Sequence, residues 1–241
     1  SIAQTRRLRE LPQPDCTAMR YLRKVAAVFW KDVTAELRTK DIFSAMFVFA
    51  LLSVIIFQFA FDLRVDNAKQ VVPGVLWVAI SFSGVLGLNR SFVLEKDKGS
   101  LEGLLLTPVD RSAIYFGKML ANLVFMLVVE AFLVPLCMVL FTVPLLTPAV
   151  LLIVLLGTIG FAAVGTIFAA LSVNTRAREV LLPILLLPVM VPVLIAGVRA
   201  TGGLLDGDTL ADLSNWVQVL LVFDIMYIAA SFMTFDFVVE E

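Results

Sequence analysis

Six apolar runs constrain this chain more than anything else in it. They cover residues 42–61, 71–88, 113–141, 149–172, 180–198 and 216–235. A helix needs about 20 mostly apolar residues to cross a bilayer. In hydrocarbon every backbone N–H and C=O must be satisfied within the segment, so such runs predict helices. The runs at 149–172 and 180–198 are nearly unbroken, 113–141 is long and carries Pro135, and 71–88 has the least defined ends. Only 16% of residues are charged, whereas soluble domains carry about 25%. The chain therefore reads as an all-α membrane protein with six transmembrane helices.

Several function classes fall away on composition. There is no histidine, so the chain cannot by itself supply a His-liganded metal, a Ser-His-Asp triad or a histidine axial ligand to haem. Cys16 and Cys137 lie in a polar leader and an apolar run respectively, which is no disulfide framework. No long basic tail or aromatic-plus-basic pattern points to nucleic acid. No residue stands out as catalytic or as a metal ligand.

Residues 1–18 lack the apolar core of a signal peptide and read as a disordered leader, with Met19 as the expected natural start. Residues 19–241 then form the membrane domain. Within it, 20–40 predicts an amphipathic interfacial helix. Leu22, Val25, Ala26, Phe29, Val33 and Leu37 make its apolar stripe, and Arg23, Lys24, Lys31, Arg38 and Lys40 lie off it.

Basic residues set the orientation. Nine precede the first run; Arg90, Lys96, Lys98 and Arg111 follow the second; Arg176 and Arg178 follow the fourth. The alternate segments near 62–70, 142–148 and 199–215 hold only Arg64, Lys69 and Arg199. By the positive-inside bias both termini are cytoplasmic.

Inside the runs, Thr158, Ala162, Thr166 and Ala170 repeat every fourth residue beside Gly165 and Ala169. Small residues at this spacing predict close helix packing. Pro183, Pro188 and Pro192 predict a kinked or broken fifth span. Glu130 and Asp224 are the acids inside spans, about 25 Å and about 12 Å from the nearest helix start at 1.5 Å per residue. Such groups are costly in a membrane and mark candidate functional positions. They must be protonated, hydrogen-bonded, hydrated or paired with a partner protein. Lys118 and Asn122 fall near the inner end of the third span, where Lys118 can snorkel.

The stretch 89–118 is the longest polar interruption. Glu95, Lys96, Asp97 and Lys98 form a mixed-charge head, followed by Gly99, Ser100, Leu101, Glu102, Leu104 and Leu105 on an expected short helix. Thr107 and Pro108, with Asp110 three residues after the threonine, predict a capped helix start. A short helix joined to two spans can pass force from a soluble motor into the membrane.

The run from Glu95 to Glu102, then Leu104-Leu105, Thr107-Pro108 and Gly117-Lys118, resembles the loop of ABC-2-type permeases. Further stretches resemble the cytochrome c maturation protein B family, also called haem exporter protein B. They are Gly87-Leu88-Asn89-Arg90-Ser91-Phe92, Val129-Glu130-Ala131, 165–171, 175–183, 191–195, Arg199-Ala200-Thr201 and Phe223-Asp224. The resemblance runs from about Met19 to the C-terminus.

It implies an ABC-2-type fold: an amphipathic N-terminal helix, six spans and a coupling helix between spans two and three. It also implies a membrane subunit that passes ATP-hydrolysis energy from a separate ATPase, maturation protein A, to release a haem-loaded periplasmic chaperone, protein E. Membrane proteins C and D are the expected haem-handling partners, and paired copies are common in the class. ATP sits on the partner, haem is handled by partners, and the bacterial inner membrane is the expected location. An exporter of haem, lipid, polysaccharide or drug, and a non-transporting scaffold, remain the alternatives. The missing histidines favour release over direct haem ligation. Residues 95–105 would dock the ATPase, with Asn89, Arg90, Glu130 and Asp224 as candidate coupling residues. No Walker A pattern occurs, since Gly117-Lys118 lacks both the earlier glycine and the hydroxyl.

Reversing charge at Glu95 together with Glu102 is expected to weaken co-purification with the ATPase. Unchanged assembly and ATPase activity would remove the docking role.

Overall fold

The computed structural model describes residues 14–61, 68–97, 111–172, 175 and 178–238. Seven α-helices occur among them: α1 Pro14–Thr39, α2 Asp41–Phe61, α3 Val72–Asp97, α4 Arg111–Phe141, α5 Pro148–Ser172, α6 Arg178–Asp206 and α7 Ser214–Val238. Helices α2 to α7 are each long and apolar enough to cross a membrane. The chain is a multi-pass membrane protein, and α1 precedes the spans. The side of the bundle where α3 ends and α4 begins is called the basic side below.

Two of the spans are central. The crossing windows of α3 and α5 are each 72% buried, whereas those of α2 and α7 are 22% buried and face outward. Glycine explains how the centre closes. A β-carbon on Gly84 of α3 would strike Phe161 of α5 and Met126 of α4. One on Gly165 of α5 would strike Leu88, and one on Gly87 would strike Met46 of α2. Where lipid surrounds every helix, hydrophobicity does not select one helix neighbour over another, so contact rests on such close packing.

Trp77 ties the opposite side together. Its ring fills the notches left by Gly157 of α5 and Gly197 of α6, and its Nε1–H donates to Thr201 Oγ1 of α6 at 3.1 Å. The connection from α4 to α5 also folds inward there, with Val143 and Leu145 buried. Thr147 caps α5 at its side chain, accepting from Val150 N at 3.3 Å, and Pro148 takes the first helical position. Before α7, Asp212 accepts from the Thr209 hydroxyl at 2.6 Å and its amide at 3.0 Å. These two donors hold the Asp212 carboxyl below the usual carboxylate range.

Several expectations change. Helix α6 runs unbroken through Pro183, Pro188 and Pro192. Pro188 and Pro192 lie on its exposed face, while Leu182, Leu186, Met190, Val193 and Ala196 keep the packed face continuous. In hydrocarbon a break would expose more backbone than the prolines already do. Arg199, Ala200 and Thr201 consequently belong to α6 rather than to an outer segment.

Helix α3 continues past Leu88 to Asp97, so Glu95, Lys96 and Asp97 extend the second-span helix. No glycine or proline interrupts 88–97. Helix α1 starts at Pro14, inside the expected leader, and its stripe splits. Val25 is buried and Phe29 and Val33 pack on the core, whereas Leu22, Ala26 and Leu37 face outward with Met19 and Trp30.

Replacing Gly157 or Gly197 by Ala is expected to lower stability by about 1–3 kcal/mol each, the usual cost of overpacking. Thermal unfolding in detergent measures it. Gly74, whose β-carbon would meet nothing, is the control and should tolerate alanine far better.

Candidate functional site

Polar groups inside the bundle gather around one face of α4 and two faces of α5. Nearest the basic side, Tyr115 donates its hydroxyl to the Ala163 carbonyl at 3.0 Å. One turn on, Lys118 is fully buried and pairs with Asp32 of α1 at 3.5 Å. Next, Asn122 Nδ2 donates to Thr166 Oγ1 at 3.1 Å. Deeper still, Thr158 Oγ1 donates to Glu130 Oε1 at 2.7 Å. The α4 residues 115, 118, 122 and 130 follow helical spacing, so one face of α4 carries them all.

The small-residue repeat of α5 therefore has a second role beyond packing. Thr158 and Thr166 are the hydrogen-bond partners of Glu130 and Asn122, and Ala162 between them is buried. Thr158 also bonds its own helix, at the Val154 carbonyl, at 2.8 Å. A hydroxyl has one proton. Thr158 can therefore donate fully to only one of these two acceptors. Glu130 Oε2 is buried and has no hydrogen-bond partner among the described residues.

Asp224 of α7 meets α5 elsewhere. Its Oδ1 lies against Gly160, where a β-carbon would have no room, and it too is buried without a partner among the described residues. Positions 158 and 160 are about 200° apart around a helix. Glu130 and Asp224 thus flank α5 at similar depth on different faces and are not brought together. The rings of Phe223 and Tyr227, on either side of Asp224 in the chain, meet at a 36° tilt with centroids 4.4 Å apart.

The remaining expected positions separate from these two acids. Asn89 is half-buried and Arg90 exposed near the basic-side end of α3. Glu95, Lys96 and Asp97 close α3. Lys98, Gly99, Ser100, Leu101, Glu102, Leu104 and Leu105 lie outside the described residues, as do Thr107 and Pro108. Among the described residues no group of three His, Cys, Asp or Glu could hold a metal.

Lys118 corrects the sequence reading. It does not snorkel to the surface but is buried against Asp32. The signal was present: a cation inside an apolar run needs a partner, and Asp32 lies between the basic positions of α1 on the face that turns out to be packed. Glu36 was also missed. It is buried and accepts from the Phe43 amide at 2.7 Å, capping the first turn of α2.

A double-mutant cycle separates packing from polarity at Glu130. Thr158→Val should cost about 1–3 kcal/mol, since it strands a buried carboxyl group. Thr158→Val combined with Glu130→Leu should recover part of that loss. Additive losses in thermal unfolding would mean the hydrogen bond contributes nothing.

Comparison with known proteins relates the chain to one family. The family described as CcmB protein matches residues 23–239. Heme exporter protein B of Rhodobacter capsulatus is 31% identical over 174 residues, 71% of this chain and 79% of that protein. Heme exporter protein B of Pseudomonas aeruginosa is 30% identical over 161 residues, 66% of this chain and 72% of that one. The Paracoccus denitrificans protein of the same name is 29% identical over 175 residues, 72% and 80% of the two chains. The match runs from the interfacial helix through all six spans, and the chain belongs to the CcmB protein family.

Proposed function

We propose that this chain is the membrane subunit of an ABC complex in cytochrome c maturation. It passes the energy of ATP hydrolysis from a separate ATPase subunit, maturation protein A, to the release of the haem-loaded periplasmic chaperone, protein E. It works in the bacterial inner membrane with both termini cytoplasmic, beside the haem-handling proteins C and D. It carries out no catalysis and binds no cofactor itself.

The observation that carries this reading is where the polar segment leaves and re-enters. Helix α3 ends and α4 begins on one side, and the first turns of α4 are gripped there by α1. A motor pulling on 98–110 would act directly on two spans, one of them central. Glu130 and Asp224 support a coupling role because each has, at a helix contact, a buried carboxyl oxygen with no hydrogen-bond partner among the described residues. A small shift of α4 or α7 against α5 would change what those oxygens meet.

The relatives' name, Heme exporter protein B, favours a second reading, an ABC exporter permease that moves haem. Deleting the gene separates the two. Release predicts loss of holo-cytochrome c with the chaperone trapped in its haem-bound form. Export predicts the same loss with the chaperone empty. Normal holo-cytochrome c would overturn both. Glu130→Gln and Asp224→Asn should each leave the protein in the membrane but slow chaperone release. If release proceeds normally in both variants, neither acid takes part in coupling.

A further inference from the structure

The helix next to α1 in sequence is α2, yet α1 is held far more firmly by α4. Three contacts line its packed face. The Tyr21 hydroxyl lies 3.3 Å from Ser112 Oγ at the start of α4. Val28 sits in the notch of Gly117, where a β-carbon would lie 2.6 Å from Val28 Cβ and 3.0 Å from the Val25 carbonyl. Asp32 then pairs with the buried Lys118, and Lys31 joins Asp32 at 3.1 Å. Residues 21, 25, 28 and 32 share one face of α1, and 112, 117 and 118 make up the first two turns of α4.

The join to α2 is different. Lys40 has φ 57°, a left-handed residue that ends α1. Across it, Glu36 accepts from the Phe43 amide at 2.7 Å. Glu36 Oε2 is buried with no hydrogen-bond partner among the described residues. Beyond the elbow α2 packs chiefly along α3, as at Met46 and Gly87. Between α2 and α4 lies an apolar cleft of about 170 Å³, bordered by Phe47, Ala50, Val129 and Phe132.

We infer that α1 and the basic-side end of α4 move as one body, welded by Asp32–Lys118 and Gly117, and that α2 pivots against them at Lys40 under the latch of Glu36. This inference deepens the function proposed above and rests on it for its purpose. A stroke entering α4 from 98–110 is carried to α1, whose outward row of Met19, Leu22, Trp30 and Leu37 meets lipid. It reaches the first span through the Glu36 latch and, further along, through Phe132 of α4, whose ring meets Phe43 and Phe47 edge-on. Asp32, Lys118 and Glu36 are positioning residues in this scheme.

The experiment is pulsed electron spin resonance on the full chain in lipid nanodiscs, in a Cys16→Ser, Cys137→Ala background. Nitroxides at the exposed positions Trp30→Cys and Leu120→Cys report α1 against α4. Those at Trp30→Cys and Leu52→Cys report α1 against α2. The first pair should give a single narrow distance peak and the second a broad one. Asp32→Ala should abolish the narrow peak of the first pair, and the swap Asp32→Lys with Lys118→Asp should restore it. Glu36→Gln should broaden only the second pair further.

Equally narrow peaks for both pairs would overturn the inference. So would a broad first pair, or a swap that fails to rescue while an apolar replacement of both charges folds normally. These distances do not depend on cytochrome c maturation. A failed maturation assay with these peaks intact would defeat the proposed function and leave the weld standing.

Discussion

Close backbone approach between α3, α4 and α5 is the constraint on which everything else depends. Lipid tails are as apolar as leucine, so helices gain nothing from simply hiding hydrocarbon from one another. They gain from dispersion contacts, which fall off steeply with a gap of even half an ångström. The glycines of α3 and α5 remove that gap. Gly84 admits Phe161, Gly165 admits Leu88, and Gly157 with Gly197 admits Trp77. Bulk on one helix is matched by absence on the next, which fixes the register of the central pair.

The polar ladder is a consequence of the same approach. A side-chain hydroxyl such as Thr158 or Thr166 reaches across to α4 only because the backbones are near. The interior is thereby supplied with specific donors while remaining mostly apolar. The two acids are the exceptions. Glu130 meets a Thr158 hydroxyl that also contacts a backbone carbonyl, and Asp224 rests on the bare backbone of Gly160. An incompletely satisfied buried carboxyl group is costly, and such a group responds to small displacements of the helix facing it. The molecule thus packs its central pair closely and keeps two incompletely satisfied acids at the contacts of α5 with α4 and α7.

The periphery is organised by charge as well as by shape. Asp32 with Lys118 and Glu36 with the first turn of α2 bind α1 to two different spans. Each contains a buried charged side chain, Lys118 in one and Glu36 in the other, and loss of its partner would leave polarity stranded in an apolar setting. The interfacial helix is therefore two-faced. One side is fitted to protein by Val25, Val28 and Asp32, and the other is left apolar and bare at Leu22, Trp30 and Leu37.

Much of the fold was legible from residue order alone. Span number, the interfacial helix and the close packing of α5 all follow from local apolar length and spacing, because in hydrocarbon the backbone has few alternatives to a helix. Family membership was legible too, through stretches such as Asn89-Arg90 and Phe223-Asp224. What the chain order could not settle was which faces meet. The three prolines of α6 predict a kink or a break locally; the helix continues through all three, with Leu182, Leu186, Met190, Val193 and Ala196 packed along one face. The stripe on α1 reads as one surface in sequence; Gly117 and Lys118 of α4 divide it in two. Lys118 reads as a cation near an interface, and its burial depends on an acid 86 residues away. Periodicity is a property of one helix and is written in its own residues. Partnership depends on the rotation of two helices about their axes, and that angle is fixed only when side chains distant in sequence compete for the same space.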